Sequence, residues 1–195
     1  MVSRKVIYIK DRIIHAFIEE LKMDGLKFPL ENMARRLGVS KKTLYKYFSS
    51  KADMLDAVID YIFENMDEKA TSIIQNEQLS IVEKIKGVIT VLPDHYEFID
   101  MGILDQMKRY YPDQWVKMDS LLKSDWELLR SLIEQAIEEK AISNLNVSLI
   151  MKVVINSINT TLDQRFFLDH RMTVDEALSE IADILLFGLA MENKR

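Results

Sequence analysis

Cysteine is absent from this chain of 195 residues, and glycine and proline are scarce, with five and three copies. Without cysteine the chain forms neither disulfides nor cysteine-ligated zinc sites, and nothing points to an oxidising compartment. The scarcity of glycine and proline argues against a fold rich in strands and tight turns. Because 48% of the residues are hydrophobic, the sequence predicts instead an all-α fold with a substantial core.

Long uncharged apolar segments are also missing. No such run approaches the roughly 18 residues that a membrane span needs. The first apolar stretch, residues 7–18, is interrupted by charged residues at positions 10 to 12, which excludes a signal peptide there. We therefore expect a cytoplasmic protein without a membrane partner.

Motifs for catalysis and metal binding are missing as well. The three histidines, His15, His95 and His170, have neither the spacing of metal ligands nor a neighbouring nucleophile motif. The sequence contains no glycine-rich phosphate loop, and the acidic pair Glu138-Glu139 fits a solvated helix face. These absences predict a protein that is not an enzyme and that uses no metal and no cofactor.

The net charge of −5 is unevenly distributed along the chain. Residues 1–56 contain 12 Lys+Arg and 7 Asp+Glu, a net charge of +5, whereas the remaining 139 residues have a net charge of −10. A basic N-terminal part followed by an acidic part is typical of a DNA-binding module joined to a domain with another role.

Hydrophobic periodicity predicts about nine helices in two domains, a three-helix head over residues 1–50 and a larger helical body over residues 51–195. Gly25 and Gly38 end the first two helices, and Ser40 caps the third. The predicted helices span residues 5–24, 30–37, 41–48, 51–76, 80–92, 96–110, 112–140, 147–168 and 174–191.

The second and third predicted helices, joined by Gly38, have the layout of a helix-turn-helix. A spacing of four places Leu44 and Phe48 on one side of the third helix, where they should pack in the core. The other side exposes ammonium, hydroxyl and aromatic groups, which can contact bases and phosphates from the major groove. Lys51 begins the fourth helix, where its charge adds to that of the positive helix end. The predicted DNA-contacting residues are Lys41, Lys42, Thr43, Tyr45, Lys46, Tyr47 and Lys51.

About the first sixty residues contain a specific pattern that extends beyond the helix-turn-helix. Its members are Ile13 to Phe17, Gly25, Met33-Ala34, Leu37 to Ser40, Thr43 to Tyr45, Phe48 and Lys51 to Leu55. In order and spacing these residues resemble the N-terminal domain of the tetracycline-repressor (TetR) family of bacterial transcriptional regulators. The resemblance implies base contacts from Lys42, Tyr45 and Lys46, and phosphate contacts from Thr43, Tyr47 and Lys51. Pro29 departs from the family pattern, which usually has a threonine there whose hydroxyl caps the second helix and touches a phosphate.

The resemblance further implies a repressor that binds a palindromic double-stranded DNA operator as a homodimer. A two-fold dimer would place two recognition helices one DNA turn, about 34–36 Å, apart. The candidates for the dimer interface lie on the last two helices and are Ile158, Leu162, Phe166, Ile181, Leu185 and Leu189.

In such a family the body binds a small effector, and an apolar or amphipathic one is expected here because the middle helices are rich in methionine and aromatic residues. Ordinary core packing is the alternative explanation for any one of these side chains. The candidates for the effector pocket are Tyr61, Met66, Met101, Met107, Tyr110, Trp126, Asn156 and Asn159.

A hypothesis from another class stays open at this level. The chain would then be a DNA-associated interaction protein of the same fold that recruits a protein partner without a small-molecule effector. Effector-independent DNA binding, together with capture of that partner, would distinguish it from an effector-controlled repressor.

Overall fold

The computed structural model describes residues 4–96, 101–124, 126–162 and 171–188. These residues form ten α-helices and no strand, so the predicted all-α class is confirmed. In the same described ranges, no helix is both long and apolar enough to cross a membrane. The helices are α1 (Arg4–Asp24), α2 (Leu30–Leu37), α3 (Lys41–Leu44), α4 (Lys51–Gln75), α5 (Ile81–Ile89), α6 (Met101–Tyr110), α7 (Pro112–Ser124), α8 (Glu127–Glu138), α9 (Val147–Asn159) and α10 (Val174–Phe187).

The chain divides into two compact units. Unit 1 comprises Met1–Asn65 and Pro93–Ser120, and unit 2 comprises Met66–Leu92 and Leu121–Arg195. The head predicted over residues 1–50 lies in unit 1 together with α6, the first part of α4 and most of α7.

The core of unit 1 is built around the apolar stripe of α1. Ile13, Phe17 and Leu21 recur at helical spacing and are almost fully buried. The ring of Phe28, in the segment after α1, meets that of Phe17 edge to face, with centroids 4.8 Å apart. Burial of each such large side chain contributes about 1.5–3 kcal/mol, so this stripe stabilises the head.

The core of unit 2 joins α5, α8, α9 and α10 with the second part of α4. Two of its helices begin with a capping box, in which Ser80 pairs with Glu83 at α5 and Thr173 pairs with Glu176 at α10. The buried residues of this core are Ala70, Ile85, Val88, Ile89, Leu129, Leu132, Ile133, Ala136, Met151, Val154 and Ala182.

Several predicted helices differ from those in the structure. The third helix was predicted to reach Phe48, but α3 ends at Leu44. The backbone hydrogen bonds that follow span three residues and not the four of an α-helix, as in the bond from Tyr47 N–H to Leu44 O at 3.0 Å. The single helix predicted over residues 112–140 is two helices, α7 and α8. Trp126 stands at their junction with φ −122° and ψ 28°, outside helical geometry. The ends predicted at residues 168 and 191 lie outside the described residues, but α9 and α10 end earlier, at Asn159 and Phe187. The helix predicted to end at residue 92 is α5, which ends at Ile89.

Candidate nucleic-acid interface

The turn between α2 and α3 is set by Gly38, whose φ of 69° and ψ of 29° are left-handed. Its N–H donates to Arg35 O at 3.1 Å, and the N–H of Val39 donates to Ala34 O at 3.0 Å. This pair of bonds is the Schellman motif, which ends a helix and favours glycine at the left-handed position. The turn therefore fixes where the chain leaves α2.

Ser40 fixes where α3 begins. Its Oγ accepts a hydrogen bond from Thr43 N–H at 3.1 Å, the expected N-cap, and lies 2.9 Å from Thr43 Oγ1. The Thr43 hydroxyl is thus held beside the cap at the first turn of α3.

The side chains of residues 41–48 divide between two environments. Leu44 and Phe48 are 0% and 4% exposed, so the predicted inward side is confirmed. Thr43 and Tyr47 are half-buried. The exposed side chains are those of Lys41, Lys42, Tyr45 and Lys46. We call the outward side of residues 41–47 the reading surface. It consists of Lys41, Lys42, Thr43, Tyr45, Lys46 and Tyr47.

The lysines of the reading surface differ in their partners. Lys41 Nζ lies 2.5 Å from Glu31 Oε1, and this hydrogen bond raises the pKa of Lys41 and lowers that of Glu31. The side chains of Lys42 and Lys46 form no ion pair or hydrogen bond with any residue that the structure describes. Two ammonium groups are therefore available to an anionic ligand, while the charge of Lys41 is partly offset.

Lys51, the seventh predicted DNA-contacting residue, is turned into the head. Its Nζ donates to Leu26 O at 2.8 Å and to Phe28 O at 2.5 Å, and it lies 3.6 Å from the centroid of the Phe28 ring. Burial lowers the pKa of Lys51 to about 8, and the negative charge of Glu20 acts in the opposite direction. The structure thus brings six of the seven candidates together in residues 41–47 and separates Lys51 from them.

Glu20 is a buried charged residue that the sequence analysis missed. It is 0% exposed, and Arg36 Nε lies 3.2 Å from its Oε1. Neither carboxylate oxygen accepts a well-oriented hydrogen bond from a residue within the described part of the chain. The available signal was its position on α1, three residues after Phe17 and one before Leu21, within the apolar stripe.

The effector candidates of unit 1 lie in different environments. Met107 is buried, and half-buried Tyr61 meets the ring of His15 with centroids 5.1 Å apart. Tyr110 is exposed, contrary to an inward role, and a hydrogen bond from Lys27 lowers its pKa. The side chain of Met101 lies outside the described residues.

The effector candidates of unit 2 are also divided. Met66 and Trp126 are half-buried, and Trp126 packs against the core of this unit. Half-buried Asn159 donates from Nδ2 to Leu122 O at 3.4 Å, whereas Asn156 is exposed. An open polar groove of about 590 Å³ contains none of these candidates and is lined by Asp67, Glu68, Thr71, Ser72, Gln75 and Asn76.

Three of the predicted interface residues have described side chains, and none of the three is exposed. Ile158 and Leu185 are half-buried against the core of their own unit, and Ile181 is also half-buried. The side chain of Leu162 and all of Phe166 and Leu189 lie outside the described residues. The large apolar side chains that α9 and α10 expose are Leu149, Val153, Ile184 and Phe187. We call these four residues the apolar surface.

A metal site has no support in the described part of the chain. No group of three or more His, Asp or Glu side chains in those ranges is placed to hold an ion. The rings of His15 and His95 are 5.7 Å apart, and His95 Nδ1 lies 3.2 Å from Lys22 Nζ, while His170 is outside the described residues.

Comparison with known proteins agrees with this geometry. Residues 13–58, which include the helix-turn-helix, match the family described as bacterial regulatory proteins, tetR family. The chain is 33% identical over 183 residues to YvaF of Bacillus subtilis (strain 168), an uncharacterized HTH-type transcriptional regulator, with 94% of this chain and 96% of YvaF covered.

Solved structures share the fold. PfmR, a TetR family transcriptional regulator from Thermus thermophilus, has a TM-score of 0.70 at 20% identity, covering 93% of this chain and 100% of PfmR. FadR from Bacillus subtilis in complex with stearoyl-CoA has a TM-score of 0.71 at 18% identity, covering 92% of this chain and 99% of FadR. Because residues 13–58 match the family and the similarity to YvaF extends over nearly all of both chains, the chain belongs to the tetR family of bacterial regulatory proteins and is a DNA-binding transcriptional regulator.

Proposed function

We propose that this regulator is a repressor that binds a palindromic operator as a homodimer and leaves it when a small apolar or amphipathic effector binds. The observation that carries this proposal is the reading surface, where Lys42 and Lys46 are exposed and have no partner among the described residues, beside exposed Tyr45. In our proposal these three residues contact base edges. Half-buried Thr43 and Tyr47 contact phosphates, as hydroxyl groups commonly do. Lys41 adds positive charge, which Glu31 partly offsets.

Selection from a random duplex library with the full chain tests the DNA-binding part of the proposal. We expect a palindromic winner whose half-sites are one helical turn, about 10 base pairs, apart. The affinity for the winner, measured at several salt concentrations, should fall with a slope of about −0.9 for each phosphate that the dimer neutralises. Salt-sensitive binding to all duplexes without enrichment would instead favour the DNA-associated interaction protein.

The apolar surface supports the homodimer. Leu149 and Val153 are four residues apart on α9, and Ile184 and Phe187 are three apart on α10, so each pair shares one side of its helix. These two helices contact each other within unit 2. Exposed apolar side chains on adjoining helices are typical of a surface that another protein covers. A second copy is the occupant we propose, because a palindromic operator needs two heads.

The effector part of the proposal is supported by the fold shared with FadR, whose structure holds stearoyl-CoA. A ligand that shifts the protein from 1% to 99% released must prefer the released state by about 5.5 kcal/mol, so its binding should also stabilise the fold measurably. We expect stearoyl-CoA to raise the melting temperature and to release the operator, with coenzyme A alone as the control. No thermal shift and no release across a series of acyl chain lengths would contradict an acyl-type effector.

A further inference from the structure

The ammonium group of Lys51 is committed to backbone groups inside the head. An ammonium has three N–H donors, and two of them point at the carbonyl oxygens of Leu26 and Phe28, at 2.8 and 2.5 Å. The Phe28 ring, 3.6 Å away, covers it further. Lys51 therefore joins the start of α4 to the segment between α1 and α2.

The same segment is held from α6 by Gln106. The N–H of Leu26 donates to Gln106 Oε1 at 2.9 Å. A Cβ on Gly25, whose φ is 64°, would come within 2.8 Å of the same oxygen, so the amide lies directly against the backbone. Both polar groups of Leu26 are thus occupied, the carbonyl by Lys51 and the N–H by Gln106.

Glu20 explains why a positive charge is favoured at this place. Its carboxylate is fully buried, and Arg36 on α2 is the cation nearest to it among the ion pairs of the described residues. The charge of Glu20 also acts on Lys51 and partly offsets the effect of burial on its pKa. Turning Lys51 outward would leave two carbonyls without their donor and would remove a countercharge from a buried carboxylate, both of which are costly.

We propose that Lys51 is a positioning residue, which fixes the α1–α2 segment to the start of α4 and so orients the reading surface, and that it does not neutralise a phosphate. Gln106 supports the same segment from α6. The inference rests on the proposed operator binding, because its effect is defined by the difference between specific and nonspecific DNA.

The test uses the full chain with Lys51→Met, which keeps most of the apolar stem and removes the ammonium, and Lys42→Met as a matched control on the reading surface. Affinities for the selected operator and for an unrelated duplex are measured at several salt concentrations and well below each melting temperature. For Lys51→Met we expect about a tenfold loss on the operator, with unchanged nonspecific affinity and an unchanged salt slope. Lys42→Met removes a proposed base contact and a cation on the reading surface, so it should weaken binding to the operator more than to the unrelated duplex. Unlike Lys51→Met, it should also make the salt slope shallower.

A second variant keeps the proposal testable if Lys51→Met does not fold. Gln106→Leu removes the acceptor of the Leu26 N–H from the other side, and it should show the same loss confined to the operator. When both variants fold, the double variant should lose little more than Lys51→Met alone, since both act on one segment.

Three outcomes would overturn the proposal. The first is that Lys51→Met loses affinity equally on both duplexes and has a shallower salt slope. The second is that Lys51→Met binds the operator as tightly as the wild type does. The third applies when Lys51→Met does not fold, and it is that Gln106→Leu binds the operator as tightly as the wild type does. A wild-type protein that selects no operator would refute the proposed function itself, which is a different result from any of these.

Discussion

The reading surface of unit 1 and the apolar surface of unit 2 have opposite chemistry. The first presents the ammonium groups of Lys42 and Lys46, which water solvates well. The second presents the hydrocarbon of Leu149, Val153, Ile184 and Phe187, with Phe187 65% exposed. A charged surface is well solvated when it is free, so it can bind and release a ligand repeatedly. An exposed apolar surface favours stable association with another protein, because association removes it from water. For the proposed homodimer, we expect DNA binding that salt weakens and self-association that salt does not weaken.

The two surfaces are also built differently. The reading surface depends on a few backbone bonds, at Gly38 and Ser40, that set the direction of one short helix. The apolar surface depends on side-chain area distributed along two long helices. A small change at the first should therefore alter which DNA is bound, and a charge at the second should alter the oligomeric state.

The largest effect should come from a charge in the apolar surface. Phe187→Glu would place one carboxylate per protomer in the proposed interface, where burying it unpaired is costly. We expect dimerisation to weaken by about 100-fold or more, as for the loss of an interface hot spot. Analytical ultracentrifugation at micromolar concentration should show monomers, and operator binding should fall with them.

Val116→Glu is the matched control for this prediction. Val116 is 66% exposed on α7, outside the apolar surface, and the substitution adds the same charge. It should leave the dimer unchanged. A wild-type protein that sediments only as a monomer would contradict the assignment of the apolar surface, as would a Phe187→Glu variant that still dimerises.

The next effect concerns specificity on the reading surface. Lys46→Ala removes a proposed base contact and should cost about 1–3 kcal/mol on the preferred operator, with relaxed preference at the base pair it reads. Tyr47→Phe removes only a hydroxyl from a half-buried ring and should weaken binding to all sequences alike. Binding of both variants to a library of single-base operator changes measures the difference. If each single-base change altered the affinity of the two variants equally, the division into base and phosphate contacts would be refuted.

The sequence predicted both ends of α2 and the start of α3 because these depend on local signals. Gly38 and Ser40 act within a few residues of their position, and α2 has the bounds that these residues predict. The break between α7 and α8 has no glycine or proline near Trp126 to indicate it. Apolar periodicity continues across it, so the sequence predicted one helix.

Local sequence patterns did not determine which way the side chains of Lys51 and of the α9 residues point. Lys51 has the charge and position of a phosphate ligand, but the carbonyls of Leu26 and Phe28 that it contacts converge only in the folded head. On α9, apolar residues occur on several sides, so periodicity did not separate half-buried Ile158 from exposed Val153. Which side faces the core depends on the packing of other helices.

A smaller effect, on the free energy of unfolding, should distinguish backbone strain at two glycines of the head from a contact with Gln106. Gly25 and Gly38 have similar φ values of 64° and 69°, but a Cβ at Gly38 would meet nothing within 4 Å, whereas one at Gly25 would meet Gln106 at 2.8 Å. Gly38→Ala should lower the free energy of unfolding by about 1–2 kcal/mol through strain alone. Gly25→Ala should lose about 1 kcal/mol more, because displacing Gln106 breaks its bond to Leu26 N–H. Urea unfolding compares them, and equal losses would show that Gln106 stabilises nothing here.

The smallest effect should come from Glu31, which offsets positive charge at the edge of the reading surface. Glu31→Gln would remove the countercharge of Lys41 and leave the edge of the reading surface more positive, so operator affinity should rise by up to about threefold at low salt and less at high salt. The hydrogen bond from Lys41 lowers the pKa of Glu31, so the pair persists as the pH falls until that lowered pKa is crossed. The gain should thus be constant across neutral and mildly acidic pH. Glu134→Gln, at an exposed position of α8, is the control. A loss of affinity in Glu31→Gln would mean that the ion pair helps to hold α3 in place and does not mask its charge.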